Sequence, residues 1–198
     1  MARCEGCGLQ HQCICHLIPK LTPDWSMLLL THANELRRET NTGRWLTASM
    51  DNCQLEVWDR TCPPQALIDK INNQQVSPLL LYPATGSSQL TAKHLNDPPH
   101  PLVIILDATW QEARKMYNRT PWLQALPHFH LVPEQNSEYH LRRNQQQGHL
   151  CTCEVGIEVL KCSRLDDQAH QLERFFALSL DAFKADKSGH ALKSITSS

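Results

Sequence analysis

The chain has 198 residues, a net charge of −1, 41% hydrophobic and 20% charged residues, the composition of an ordinary globular α/β-sized protein. No run of about 18 apolar residues is present, which excludes a membrane-spanning helix, and MARCEGCGLQ has no signal-peptide apolar core, so a cytoplasmic location is expected. The near-zero charge excludes a globally basic nucleic-acid binder and leaves room only for a local basic groove.

Residues 1–20 read as a separate small module, with residues 21–198 as the main domain. CEGCGLQHQCIC places Cys4, Cys7, Cys13 and Cys15 in a C-x2-C-x5-C-x-C pattern. Two close thiolate pairs suit one tetrahedral ion, and Zn²⁺ is the usual choice for four sulfurs; His11 or His16 is an alternative ligand. A reduced cluster without metal and an iron–sulfur site are the competing readings. The other five cysteines lack partner spacing and read as buried small side chains.

SMLLLTH (26–32) reads as a buried strand, and NELRRETNTGRWLTASM (34–50) as a loop entering a helix that Asn41 or Thr42 starts. QLEVWDR (54–60) is a second strand, PPQALIDKINN (63–73) a helix with proline in its first turn, and SPLLLYP (77–83) a third strand. A polar, proline-rich stretch containing loop follows. PLVIILD (101–107) is the strongest strand signal. TWQEARKMYNRT (109–120) is a helix with Trp110, Ala113 and Tyr117 on one stripe. HFHLVP (128–133) is a strand, 134–149 loop or irregular edge, 151–163 a helix, and 168–186 a long amphipathic helix with a frayed end. Strands alternating with helices predict a mostly parallel sheet flanked by helices, whose ligands gather at the carboxyl ends of the strands. That rule brings LYPATG and LDATW to one rim. No G-x-G-x-x-G, P-loop, H-E-x-x-H or G-x-S-x-G occurs, so a dinucleotide site and a serine hydrolase have no support.

Three basic islands are present: Arg37, Arg38 and Arg44 beside Thr40, Asn41 and Thr42; Arg114, Lys115 and Arg119; and Arg142–Arg143. Each is either a solvated face or a set of phosphate contacts, for which arginine supplies forked donors. Asp107 ends an apolar strand. It either caps the next helix or, partly desolvated, binds protons more tightly and acts as a general base. Thr109 is a helix-start residue or a ligand contact, and Trp110 a core or ligand-facing ring.

Together, CEGCGLQHQCIC, HANELRRETNTGR, LLYPATG, LDATW with QEARKM, LRRNQQQGHL and CTCEVGIEVL resemble the DTW-domain family of tRNA-uridine aminocarboxypropyltransferases. The D-x-T-W signature stands intact at Asp107 to Trp110, and T-N-T-G-R at Thr40 to Arg44. The resemblance implies a SPOUT-like α/β fold with a C-terminal trefoil knot, which composition alone never predicts. It implies transfer of the 3-amino-3-carboxypropyl group of S-adenosylmethionine to N3 of a tRNA uridine, with methylthioadenosine released. Asp107 would be the base. Leu81, Pro83, Thr109, Trp110, Leu150, Thr152 and Glu154 would form the cofactor pocket. Arg37, Arg38, Thr40, Asn41, Thr42, Arg44, Arg114 and Arg142 would meet tRNA. Cys4, Cys7, Cys13 and Cys15 would hold structural zinc. No membrane and no protein partner is implied. The family's S-T-x-E-A motif reads Cys151-Thr152-Cys153-Glu154-Val155 here, so thiol and valine replace serine and alanine. The rival readings are a SPOUT-like RNA methyltransferase and a non-catalytic zinc-stabilised RNA-binding module.

Overall fold

A computed structural model of the chain describes residues 2–132 and 150–192. The expectations for the polar tract, including Arg142, and for the last six residues lie outside the described residues. Six strands form one all-parallel sheet: β1 (Ser26–Thr31), β2 (Cys53–Val57), β3 (Ser77–Leu81), β4 (Ser88–Gln89), β5 (Pro101–Asp107) and β6 (His128–His130), in the order β2-β1-β5-β3-β6-β4. The helices are α1 (Gly43–Ser49), α2 (Gln65–Asn72), α3 (Ala92–Asn96), α4 (Trp110–Asn118), α5 (Pro121–Gln124), α6 (Thr152–Cys162) and α7 (Asp166–Lys187), with 3-10 turns at Cys15–Leu17 and Glu35–Arg37. The stretch read as polar and loop-containing holds β4 and α3, the latter closed by a reciprocal Thr91–His94 cap. Among the described residues no helix is long and apolar enough to cross a membrane.

The central strands β1 and β5 are buried on both faces. This explains their unbroken apolar runs, since a covered parallel strand has no solvent face to mark with polar residues. The two-residue side-chain period sorts each strand between two cores. Met27, Leu29, Val103 and Ile105 join Trp45 and Leu46 of α1, Ile157 and Leu160 of α6, and Leu172 and Phe175 of α7. Leu28, Leu30, Ile104 and Leu106 join Leu67 and Ile71 of α2, Ala113 and Met116 of α4, and Leu123 of α5. The result is three layers, helix on sheet on helix.

This sorting positions the site. Thr31 and Asp107 are opposite each other in the β1–β5 register. By parity both follow Leu29 and Ile105 toward the α1–α6–α7 layer. At this point the chain leaves β1 through α1 on one face and leaves β5 through α4 on the other. Opposed crossovers of this kind mark a topological switch point, the place where open α/β sheets form their ligand crevice.

The cysteine-rich segment is built into the first core rather than standing off it. Cys7, Leu9 and Ile14 are buried there. Asp186 near the end of α7 accepts the backbone N–H groups of Gln10 at 2.7 Å and His11 at 2.8 Å. Glu39 joins Arg3 and Lys187 in ion pairs. Of the five remaining cysteines, Cys53 and Cys153 are buried and Cys151 and Cys162 half-buried. Cys62 is exposed, against expectation, because it lies in the turn after β2 that Asp59 organises through the Thr61 and Cys62 N–H groups.

Close approach of α1 and α6 depends on Gly156. A Cβ there would overlap Leu46 Cδ2 and lie 3.0 Å from Cδ1, and Leu46 is fully buried with nowhere to turn. Gly156→Ala is expected to destabilise the fold by about 1–3 kcal/mol through overpacking. Combined with Leu46→Ala, which alone costs about 2–5 kcal/mol, it should cost clearly less than the sum of the two. Urea unfolding of the four proteins checks this; strictly additive losses would show that the two residues do not meet.

Candidate active site

Asp107 is 1% exposed, yet it meets no cation among the described residues. Three neutral donors satisfy it instead. Thr152 Oγ1 donates to Oδ1 at 2.6 Å, while Asn41 Nδ2 at 2.9 Å and Thr31 Oγ1 at 3.2 Å donate to Oδ2. The first distance is that of a charge-assisted O–H···O⁻ bond. Desolvating a carboxylate costs several kcal/mol, and hydrogen bonds to a charged group return about 1.5–3 kcal/mol each. Three donors from β1, the loop before α1 and the start of α6 therefore hold the group in place. Oδ1 accepts from Thr152 alone among the described residues, which leaves it a lone-pair direction. Asp107 does not cap α4; Thr109 does.

The T-N-T-G-R segment is the frame of this carboxylate. Asn41 is buried, and its amide orientation is determined: Oδ1 accepts the Arg44 N–H at 3.2 Å, so Nδ2 turns to the carboxylates. Thr42 stands at the N-cap position of α1 but makes no side-chain cap; its Oγ1 instead accepts the Cys153 N–H at 3.2 Å. A Cβ at Gly43 would lie 3.0 Å from Asp107 Oδ2 and 3.1 Å from Leu29 Cδ1, so any side chain here would crowd both and glycine fits the close start of the helix. Arg44 folds back on the loop, Nε donating to Asn41 O at 2.9 Å and Nη2 to Arg38 O at 3.0 Å. Thr40 is half-buried at the loop's edge.

Arg38 lies between Glu35 and Glu112, with Nη1 and Nη2 at 2.8 and 2.9 Å from the two Glu112 oxygens. Glu112 also takes Asn34 Nδ2 at 2.8 Å and closes the α4 cap through Thr109 N at 3.0 Å and Thr109 Oγ1 at 2.7 Å. Burial alone opposes the Glu112 charge, but the Arg38, Asn34 and Thr109 bonds hold its carboxyl well below the usual range. The Glu112 bond raises Arg38 above an already high value. Arg37 and Arg114 are exposed.

The expected cofactor residues fall at the same rim in different settings. Thr152 touches Asp107. Leu81 ends β3 opposite Ile105 and packs toward the α1–α6–α7 side. Pro83 is exposed beyond it, Leu150 is half-buried, and Trp110 is 44% exposed at the first turn of α4. Thr109 is committed to the α4 cap. Glu154 closes a reciprocal cap on α6, accepting Cys151 N–H at 2.7 Å while the Cys151 sulfur receives the Glu154 N–H. The thiol thus takes over the capping task of a serine. Burial first, and the Glu154 charge second, push the Cys151 thiol up, so it stays protonated.

Sequence reasoning missed Thr31, Glu35 and Glu112. The T-x-x-E spacing of Thr109 and Glu112 is a capping-box signal and locates Glu112. Nothing local marks its Arg38 partner, 74 residues away.

The four N-terminal sulfurs lie within 4.8 Å of one another, with Cys4 at 3.5 Å from Cys13 and 3.7 Å from Cys15. Ligands about 2.3 Å from a tetrahedral ion stand roughly 3.8 Å apart, so the set fits one ion. A Cβ at Gly6 would come 2.7 Å from Cys15 Sγ, so the turn needs glycine. The backbone N–H groups of Cys7 and Gly6 pull the Cys4 thiol down to about 6. Burial pushes Cys15 up to about 12, and Cys7 upward. One thiolate is thus ready at neutral pH, and a cation favours release of the others.

A tRNA-uridine aminocarboxypropyltransferase 2 of Drosophila melanogaster is 27% identical over 165 residues, a region covering 80% of this chain and 65% of the fly protein. No solved structure matches. The model of the DTW domain family matches residues 1–184, from the cysteine cluster through most of α7. The chain with Asp107, Thr109 and Trp110 at its central strand end belongs to the DTW domain family.

Proposed function

We propose that the chain is a tRNA-uridine aminocarboxypropyltransferase that uses S-adenosylmethionine. The observation that carries the reading is the Asp107 carboxylate at the β1–β5 crevice, buried, held by three neutral donors and paired with no cation among the described residues. Such an anion suits both a cationic sulfonium ligand and a weakly acidic N3–H. The family membership and the printed activity of the fly relative support the same choice.

S-adenosylmethionine supplies, when bound, a sulfonium-activated three-carbon arm whose γ-carbon is transferred as methylthioadenosine departs. The protein's task is to select that arm and exclude the methyl, by orientation. In this proposal Leu81, Pro83, Trp110, Leu150 and Thr152 line the cofactor's side, with Thr109 and Glu154 holding the helix starts that shape it. Asp107 accepts the N3 proton at Oδ1, beside the Thr152 hydroxyl, which steadies the carboxylate while its charge changes. Exposed Arg37 and Arg114 meet tRNA phosphates. Arg44, Thr40, Asn41 and Thr42 build the loop that follows Arg37, and Arg142 is a further proposed tRNA contact. The C-terminal trefoil knot that the family resemblance implies is part of the same proposal. Zinc, held by Cys4, Cys7, Cys13 and Cys15, braces the segment seated on α7.

With tRNA as acceptor, S-adenosylmethionine labelled in its carboxyl carbon is expected to transfer label to a uridine, and methyl-labelled cofactor is not. Transfer of the methyl label instead would make the chain a methyltransferase, and no transfer of either would leave an RNA-binding module. Asp107→Asn, which keeps the volume, is expected to lower kcat by about 10²–10⁴-fold while the tRNA Kd changes by less than about threefold. Full turnover in that variant would remove Asp107 from the chemistry.

Protein purified under reducing conditions is expected to carry one equivalent of zinc, and Cys7→Ser to lose it together with several degrees of Tm. Substoichiometric zinc in the wild type, measured by plasma mass spectrometry, would overturn the assignment.

A further inference from the structure

Beside the Asp107 cage lies a polar cluster around Glu112, and the two are joined. Glu112 accepts from Arg38, Asn34 and Thr109. Arg38 also grips Glu35, which is fully buried. Asn41 Nδ2 faces Glu35 Oε2 at 3.5 Å and Asp107 Oδ2 at 2.9 Å. One amide group thus stands between two buried carboxylates, its two hydrogens available one to each. Thr152 continues the line from Asp107 into α6. The series Glu112–Arg38–Glu35–Asn41–Asp107–Thr152 runs from the first turn of α4 across the crevice to the first turn of α6.

Each link has a directional reason. Two carboxylates as close as Glu35 and Asp107 are to one amide repel each other unless at least one is neutralised, and Arg38 neutralises Glu35. Arg38 is itself oriented by the two-pronged bond to Glu112, a geometry lysine does not reproduce. Glu112 is fixed because it is also the α4 cap. The guanidinium of Arg38 has its charge met by two carboxylates, so its strongest interactions lie within the protein.

We infer that Glu112 and Arg38 are positioning residues: together they set the Asn41 amide, and through it the Asp107 carboxylate, so that the first turn of α4 and the reactive group move as one. This rests on the reaction proposed above only for its kinetic consequence; the structural coupling stands apart from it. Binding of RNA along α4, where Arg114 is exposed, then acts directly on the frame that holds Asp107.

The test is hydrogen exchange followed by mass spectrometry, with transfer kinetics on the same proteins. Glu112→Gln keeps a competent cap, since glutamine also serves at this position, but removes the charge that orients Arg38. Amides at Asn41–Arg44 and Cys151–Cys153 are expected to exchange at least about tenfold faster, although neither segment touches residue 112. With turnover established for the wild type, kcat should fall about tenfold while KM for tRNA stays within about threefold. Thr109→Ala removes the hydroxyl bond but leaves the Thr109 N–H on Glu112 and the Arg38–Glu112 pair, so it should loosen 109–118 far more than Asn41–Arg44 or Cys151–Cys153. If Glu112→Gln folds poorly, Arg38→Lys carries the same test, retaining charge while losing the fork. Faster exchange confined to 109–118 in the Glu112 or Arg38 variant would overturn the inference. So would a Arg38→Lys variant that loses tRNA affinity with unchanged exchange, since that is the signature of a phosphate contact. If the wild type transfers no group, the proposed reaction fails and the exchange pattern still decides the coupling.

Discussion

A buried carboxylate with no cation beside it among the described residues is the constraint around which this fold is arranged. Asp107 lies at the end of the most deeply buried strand, and β-strand parity turns it toward the layer of α1, α6 and α7. Leaving a buried carboxylate unsatisfied costs several kcal/mol. Among the described residues, two hydroxyls and one amide meet that cost, and no arginine does. The choice matters chemically. A guanidinium on Asp107 would quench it as a base and repel a cationic cofactor, whereas neutral donors hold it and leave its charge available.

The same constraint explains features that otherwise look unrelated. Gly43 is where a side chain would crowd Asp107. Thr42 abandons its own helix cap to take the Cys153 N–H, bringing the start of α6 within reach of Asp107. Gly156 lets α6 settle on Leu46. Cys151 stands at the α6 N-cap, where its neutral thiol performs the capping task. The cysteine-rich segment supports the arrangement from behind, through its contacts with Asp186 and the buried side chains it adds to the α7 core.

Much of this was legible in the sequence, and the parts that were not have identifiable reasons. PLVIILD read as the strongest buried strand because six apolar residues, Pro101 to Leu106, run without a polar position. Asp107 stood out because a charge ends that run. The grouping of T-N-T-G-R with Asp107 came from family resemblance; spacing alone left a capped helix equally acceptable. Arg38 illustrates the limit. On composition it belonged to a basic island facing solvent or phosphate, and its two carboxylate partners include one 74 residues away. Charge pairing over such separations depends on which helix lands on which face of the sheet. Glu112 was within reach, since T-x-x-E at a helix start is a local signal, although its second role as the anchor of Arg38 was not.

The central claim is that the β1–β5 crevice, with Asp107 at its floor, is where the cofactor and the uridine meet. A crystal structure of the chain with S-adenosylmethionine tests it most directly. The account predicts the cofactor at the rim between Leu81 and Thr152, its sulfonium facing Asp107, with the Thr31 and Asn41 contacts to that carboxylate intact. A cofactor bound away from this rim, or one that leaves Asp107 screened from the sulfonium by protein on every side, would contradict it.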